Sequence, residues 1–177
     1  DMNVVTTAHL SRWMHSRGAD STRINVMYTG VRAPRTERTI SNRNIIRSRF
    51  GIDTDLPLVI FGGRMTKQKR PELLAEIFKA AVEAGLKFHA LVIGDGELRP
   101  DFESLLEKYN LRESVTTLGS LPHEQWLDAL IASDILLMPS LYEGISISLL
   151  ESMAAGVVPI VSDVGGHSEV LDERTGY

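Results

Sequence analysis

The chain has 177 residues, 43% of them hydrophobic and 24% charged, with a formal net charge of −4. That length allows one domain and part of another, and that composition belongs to a globular chain rather than a disordered one. It holds no cysteine, which excludes disulfide frameworks, Cys-ligated zinc, Fe–S clusters and thiol catalysis and suits a reducing compartment.

NVVTT (3–7) reads as a short strand, 9–17 as a helix and RINVMYTGV (23–31) as another strand. The opening residues lack the charged-then-apolar pattern of a signal peptide, and the missing initiator methionine points to a fragment. Residues 32–49 hold six arginines against one acid, and are expected to form an exposed connection with a helix over 40–49. Beyond them come five short apolar runs: LPLVIFGG (56–63), FHALVIG (88–94), SVTTLG (114–119), SDILLMP (133–139) and VVPIVS (157–162). Continuous apolar runs of this length are the mark of parallel strands covered on both faces. Helical stripes lie between them. Leu73, Leu74, Ile77, Phe78 and Ala81 follow Pro71 and stop at Gly85; Phe102, Leu105, Leu106 and Tyr109 follow Pro100. Trp126, Leu127, Leu130 and Ile131 form a third stripe, and Leu149, Leu150, Met153 and Ala154 a fourth that ends at Gly156. Strand alternating with helix predicts an α/β fold, a parallel sheet with helices on both faces. Ligands of such sheets bind at the carboxyl ends of the strands. No apolar run reaches the roughly 18 residues that would span a bilayer.

The net charge hides an asymmetry. Residues 1–88 carry 15 Lys and Arg against 8 Asp and Glu; residues 89–177 carry 4 against 15. A basic half suits nucleic acid, an anionic membrane surface or a phosphorylated ligand, and equally a merely solvated face.

Four segments carry candidate chemistry. In FGGRMTKQKRP (61–71) two glycines end a strand, and Arg64, Lys67, Lys69 and Arg70 crowd the loop before a helix. Gly63 lets backbone approach a ligand, and Arg with Lys suits a multiply charged phosphate; the spacing is not that of a Walker A loop. GDGE (94–97) is a G-x-G with Arg99 where a dinucleotide fingerprint needs its third glycine, so a tight turn is the expectation there. In PSLYEGISISLLESMAAG (139–156), Glu143 precedes Gly144 in a loop, and Glu151 lies eight positions on, inside a helix capped at Ser146 or a neighbour. The free N–H groups of Ser146, Ile147 and Ser148 would then form an anion site, and the two carboxylates would accept from hydroxyls. Gly165 and Gly166 in SDVGGHSEV (162–170) permit either a close ligand or a tight turn. The five histidines show no metal-ligand spacing, and no G-x-S-x-G elbow is present.

Together GGRMTKQKRPELL (62–74), VIGDGELRP (92–100), residues 115–156 and VPIVSDVGGHSEVL (158–171) resemble the retaining glycosyltransferases of family 4, also called the group 1 family, with the GT-B fold. The sharpest feature is Glu143 and Glu151 separated by seven residues directly after PSLYEG. The resemblance implies that residues 31–177 form a Rossmann-like domain for the nucleotide-sugar donor. Residues 1–30 would be the end of an acceptor domain with its linker. By the family pattern Arg64 and Lys69 hold the donor diphosphate as it leaves, and Glu143 approaches the donor sugar. Glu151 accepts from the ribose, and N–H groups around Gly144, Ile145, Ser146 and Ile147 meet the diphosphate. Gly119, Ser120 and Leu121 lie beside the base.

The donor implied is a UDP- or GDP-linked sugar, and the acceptor a saccharide or lipid-linked molecule. Neither a metal nor another cofactor is expected. The cell location implied is cytoplasmic, with peripheral contact at the inner face of a membrane through the basic residues. Many relatives have glycine where Ser146 stands. The sheet would continue with a sixth strand where the chain stops, and closing helices would follow. Transfer by these 177 residues alone is therefore not expected. Two other readings remain: a sugar-nucleotide epimerase of the same architecture, and a non-catalytic nucleic-acid binder using 32–49. For the latter only Phe50 adjoins the arginines as a stacking aromatic.

Overall fold

The computed structural model describes residues 2–52 and 55–177; residue 1 of the expected 1–30 segment lies outside these. A small parallel pair comes first: β1 (Asn3–Val5), α1 (Ala8–Ser16), and β2 (Ile24–Val26) beside β1. The second of these strands is far shorter than the 23–31 expected. Exposed Met27 and Tyr28 follow it outside the strand, though Met27 N still donates to Val5 O of β1 at 2.8 Å.

The main sheet has five parallel strands: β3 (Leu58–Gly62), β4 (His89–Ile93), β5 (Val115–Leu118), β6 (Ile135–Met138) and β7 (Val158–Val161). Their spatial order is β5-β4-β3-β6-β7. The chain winds outward from β3 to β5, then returns to β6 on the other side of β3. Loops leaving β3 and β6 thus diverge, and the order reverses at the centre of the sheet, where open α/β sheets place their ligand crevice.

The apolar runs bury both faces, as expected. Leu58, Ile60, Leu91 and Ile93 pack on one side with α2 (Ile40–Arg49), α5 (His123–Ala132) and α6 (Ile147–Ala154). Phe61, Ala90 and Val92 pack on the other with α3 (Pro71–Glu83) and α4 (Arg99–Lys108). Side chains alternate across a strand, so one apolar run feeds two cores. β7 differs: it exposes Val158 and Ile160 and buries Pro159, because at this end of the strand order only one face is covered. Beyond it, Tyr177 exchanges backbone hydrogen bonds with Pro159 and Val161, at the position expected for a further strand.

Helix ends follow local chemistry. Pro71 opens α3, and Gly85 and Gly156 follow α3 and α6 with φ of +79° and +70°, a region that costs glycine least. Thr7 and Thr39 cap α1 and α2 by accepting from the N–H groups of Leu10 and Asn42.

The arginine-rich connection is the exposed tract expected only in part: Arg32, Arg35 and Arg49 are exposed, and the other three arginines turn inward. Arg38, Arg43 and Arg47 converge on Asp134, at the start of β6. Arg47 is only 6% exposed. It reaches Asp134 Oδ2 at 2.8 Å, Ala132 O at 3.1 Å and Leu56 O at 3.1 Å, while Asp134 Oδ2 also accepts from Leu58 N at 2.9 Å. Arg49 pairs with Asp128 at 3.7 Å. The physical reason is neutralisation across the sequence: acids from the second half of the chain take up charge from the first.

Candidate functional site

A cleft of about 710 Å³ opens over the carboxyl ends of β3 and β4, the loop after β5 and the first turns of α5 and α6. Backbone contacts hold the loops after β3 and β4 together. A Cβ on Gly94 (φ +143°) would overlap Gly63 O, and one on Gly96 (φ +155°) would clash with the backbone of Met65. Met65 N donates to Asp95 O at 2.9 Å. The G-x-G at 94–96 thus serves close packing of two loops, in line with the expected tight turn, while Gly94 and Asp95 also line the cleft. Gly165 and Gly166 behave similarly. A Cβ on Gly165 (φ +63°) would overlap Glu143 O, one on Gly166 would press on Thr7 and Gly144 O, and Gly166 N donates to Gly144 O at 2.7 Å. Their small size serves backbone contact with the 143–144 loop.

Of the residues singled out in the sequence, Gly63, Arg64, Ser120, Leu121, Ile147 and Glu151 line the cleft. Arg64 is exposed and has no ion-pair partner among the described residues. Gly119 lies beside Arg99, whose Nη1 is 3.4 Å from where a Cβ would stand. Ser146 is the N-cap of α6, as expected, with a φ of −81° that serine adopts freely. Its side chain caps no N–H, and α6 has no acid in its first turn. The helix start therefore presents uncompensated N–H donors where Ile147 and Ser148 meet the cleft, which favours an anion.

Glu143 and Lys69 sit beside this cleft rather than in its wall. They form a pair at 2.6 Å, with the Glu143 side chain 8% exposed. Loop stitching brings them together: Leu141 N donates to Gln68 O at 2.8 Å, and Gln68 Nε2 donates to Tyr142 O at 2.9 Å. Gly144 and Ile145 connect this pair to the cap of α6. Lys69 is thus joined to a carboxylate, not held apart as a free cation.

Glu151 is 4% exposed, and both its oxygens are engaged. His123 Nε2 donates to Oε1 at 2.6 Å and Trp126 Nε1 to Oε2 at 2.7 Å. Sequence reasoning places Trp126 in the core stripe and weighs His123 only as a metal ligand. Their i, i+3 spacing shows that they share a face, but not that Glu151 meets that face. The cleft also takes in Gly30, Val31 and Arg32, so one residue of the arginine-rich stretch reaches the site. Among the described residues no three His, Asp or Glu side chains gather as a metal site.

The fold and the cleft define an open parallel α/β domain whose cleft gathers the Arg64 guanidinium, the uncapped start of α6 and the held carboxylate of Glu151. Residues 42–177 match the family described as "Glycosyl transferases group 1", and the chain belongs to it. It is 31% identical over 137 residues to the alpha-D-kanosaminyltransferase of Streptomyces kanamyceticus, covering 77% of this chain and 35% of the relative. It is 30% identical over 159 residues to the 2-deoxystreptamine glucosyltransferase of the same organism, covering 89% of this chain and 41% of the relative. The chain therefore spans well under half the length of these relatives.

Among solved structures, Anabaena Alr3699/HepE in complex with UDP-glucose superposes with a TM-score of 0.82 at 16% identity, over 97% of this chain and 47% of that one. A mutant of S. aureus TarM, solved in complex with fondaparinux, alpha-GlcNAc-glycerol and UDP, gives 0.79 at 19% identity, over 98% of this chain and 32% of that one. The fold is accordingly that of one half of a GT-B glycosyltransferase.

Proposed function

We propose that residues 31–177 are the donor-binding domain of a retaining family 4 glycosyltransferase, that residues 1–30 end its acceptor domain, and that the cleft takes a UDP- or GDP-linked sugar. In the whole enzyme the sugar passes to a saccharide or lipid-linked acceptor. The observation that carries this is the joining, in one cleft, of the uncapped start of α6, the guanidinium of Arg64 and the held carboxylate of Glu151. Relatives named for sugar transfer and a fold neighbour solved with UDP-glucose support the same reading.

In this reading the diphosphate lies against the N–H groups of Ile147 and Ser148 and the guanidinium of Arg64. As the nucleoside diphosphate leaves, negative charge grows there, and preorganised donors lower the barrier. Lys69 has three N–H donors, so it holds Glu143 with one and meets the leaving diphosphate with another. Glu143, brought to the rim by Gly144, faces the donor sugar, whose reacting carbon gains oxocarbenium character. Arg64 and Lys69 stand where a divalent ion would otherwise be needed. Ser120 and Leu121 adjoin the base. Peripheral membrane contact through 32–49 would rest on the exposed Arg32, Arg35 and Arg49, since Arg38, Arg43 and Arg47 are turned onto Asp134.

Calorimetric titration of the 177-residue chain with UDP and with GDP tests the reading. Arg64→Ala is expected to weaken binding of the preferred nucleotide about tenfold or more, the scale of one charge-assisted hydrogen bond. Affinity unchanged in both Arg64→Ala and Lys69→Ala would remove the phosphate assignment.

A further inference from the structure

Glu151 is held more firmly than a hydroxyl acceptor needs to be. Its two oxygens are bonded by two donors one helical turn apart on α5, His123 at its first position and Trp126 three residues on. The Trp126 ring is itself wedged against the end of β3, where a Cβ on Gly62 would collide with it. The indole is thus a fixed post. His123 is different: its side chain is 57% exposed, yet its Nε2 lies 2.6 Å from Oε1. Two donors on two oxygens fix the plane of the carboxylate. Each ionised oxygen has room for a second hydrogen bond, and those remaining acceptor positions are what the cleft receives.

We infer that His123 and Trp126 act as a clamp that aims Glu151 at a vicinal diol, and that His123 is the positioning residue which makes this cleft select a ribonucleotide over its 2′-deoxy counterpart. This rests on the donor-site reading above. A vicinal diol offers two O–H groups, and a carboxylate with a fixed plane accepts both. A carboxylate anchored only through Trp126 turns about that single bond and receives the diol less well. The effect of His123 therefore falls on the ribose hydroxyls and not on the base or the phosphates.

The test is calorimetric titration of the chain with UDP against dUDP and GDP against dGDP, in wild type, His123→Ala and His123→Gln. The wild type is expected to prefer the ribonucleotide by about tenfold, the weight of one hydrogen bond to a charged acceptor. In His123→Ala that preference is expected to fall below about threefold while deoxynucleotide affinity stays within about twofold. His123→Gln, whose amide N–H reaches a similar position, is expected to restore most of the preference.

A full ribose preference in His123→Ala overturns the proposal. So does an equal loss for both nucleotides, which would mark a merely structural role. Wild-type binding without any ribose preference overturns the assignment of Glu151 and the clamp with it. Failure of the wild type to bind either nucleotide overturns the donor-site reading itself.

Discussion

At Lys69 and Glu143 a single contact has two consequences. The pair is nearly closed to solvent, with side chains 14% and 8% exposed, so the two charges are screened mainly by each other. Lys69→Met leaves a carboxylate with no counter-charge in a poorly solvated place, and the expected loss of stability is about 3 kcal/mol. Urea denaturation reads it directly, and Glu143→Gln in the same chain is expected to recover most of the loss. A loss below about 0.5 kcal/mol would show instead that water screens the pair.

The glycines carry a related lesson. Gly94 and Gly165 read in sequence as turn or ligand-approach residues, and both serve neighbouring backbone: Gly63 O in one case, Glu143 O in the other. A one-dimensional pattern shows that a Cβ is missing, but not what occupies its place. The same holds for the acids. The spacing of Glu143 and Glu151 is visible in the chain, whereas the partners Lys69, His123 and Trp126 are supplied from 74, 28 and 25 positions away.

Among the elements, α2 shows how far local signals reach. Its span is legible as 40–49, and Thr39 capping follows from its residue type. Its setting is not legible. Arg43 and Arg47 are one helical turn apart and so share a face, and that face meets Asp134, 91 and 87 positions later in the chain. Burial, and next the neighbouring charge of Arg43, pull the Arg38 guanidinium below its ordinary value, against the pull of Asp134. Three cations rest on one acid here, so removing it is costly. Asp134→Asn is expected to destabilise the chain by about 3 kcal/mol, measured by chemical denaturation. Arg49→Ala, at an exposed pair 3.7 Å apart, is expected to change stability by less than about 0.5 kcal/mol. Comparable losses in the two variants would show that the cluster acts as an ordinary surface network.

At the scale of the whole molecule, Glu169 ties the first elements to the last. It follows the Gly165–Gly166 turn and caps the start of α1. Its oxygens accept from Ala8 N at 2.9 Å, His9 N at 2.6 Å and the Tyr28 hydroxyl at 3.0 Å. Partial burial works against the charged form of this carboxyl, but the two N–H donors, Tyr28 and Arg12 outweigh it and hold the group below the usual glutamate range. A carboxyl lowered in the folded state stabilises at pH above its unfolded value, and that contribution is lost as the pH falls through the folded value. The stability gap between wild type and Glu169→Gln is thus expected to be full at about pH 7, near 1 kcal/mol as for a helix cap, and to shrink below about pH 5. A gap independent of pH would mean that the amide serves as well as the carboxylate.

The sequence by itself determined the α/β class, the order and approximate bounds of the five main strands, the helices between them, and the family through Glu143, Glu151 and the basic loop at 64–69. These follow from local physics: apolar periodicity, proline and glycine at helix ends, and residue spacing along one segment. Only the tertiary structure decided where the charges go. It turned Arg38, Arg43 and Arg47 onto Asp134, paired Lys69 with Glu143, and set His123 and Trp126 on Glu151. A charge interacts through space with whatever the sheet order brings near it. That order, β5-β4-β3-β6-β7, is a property of the folded chain and not of any segment in it.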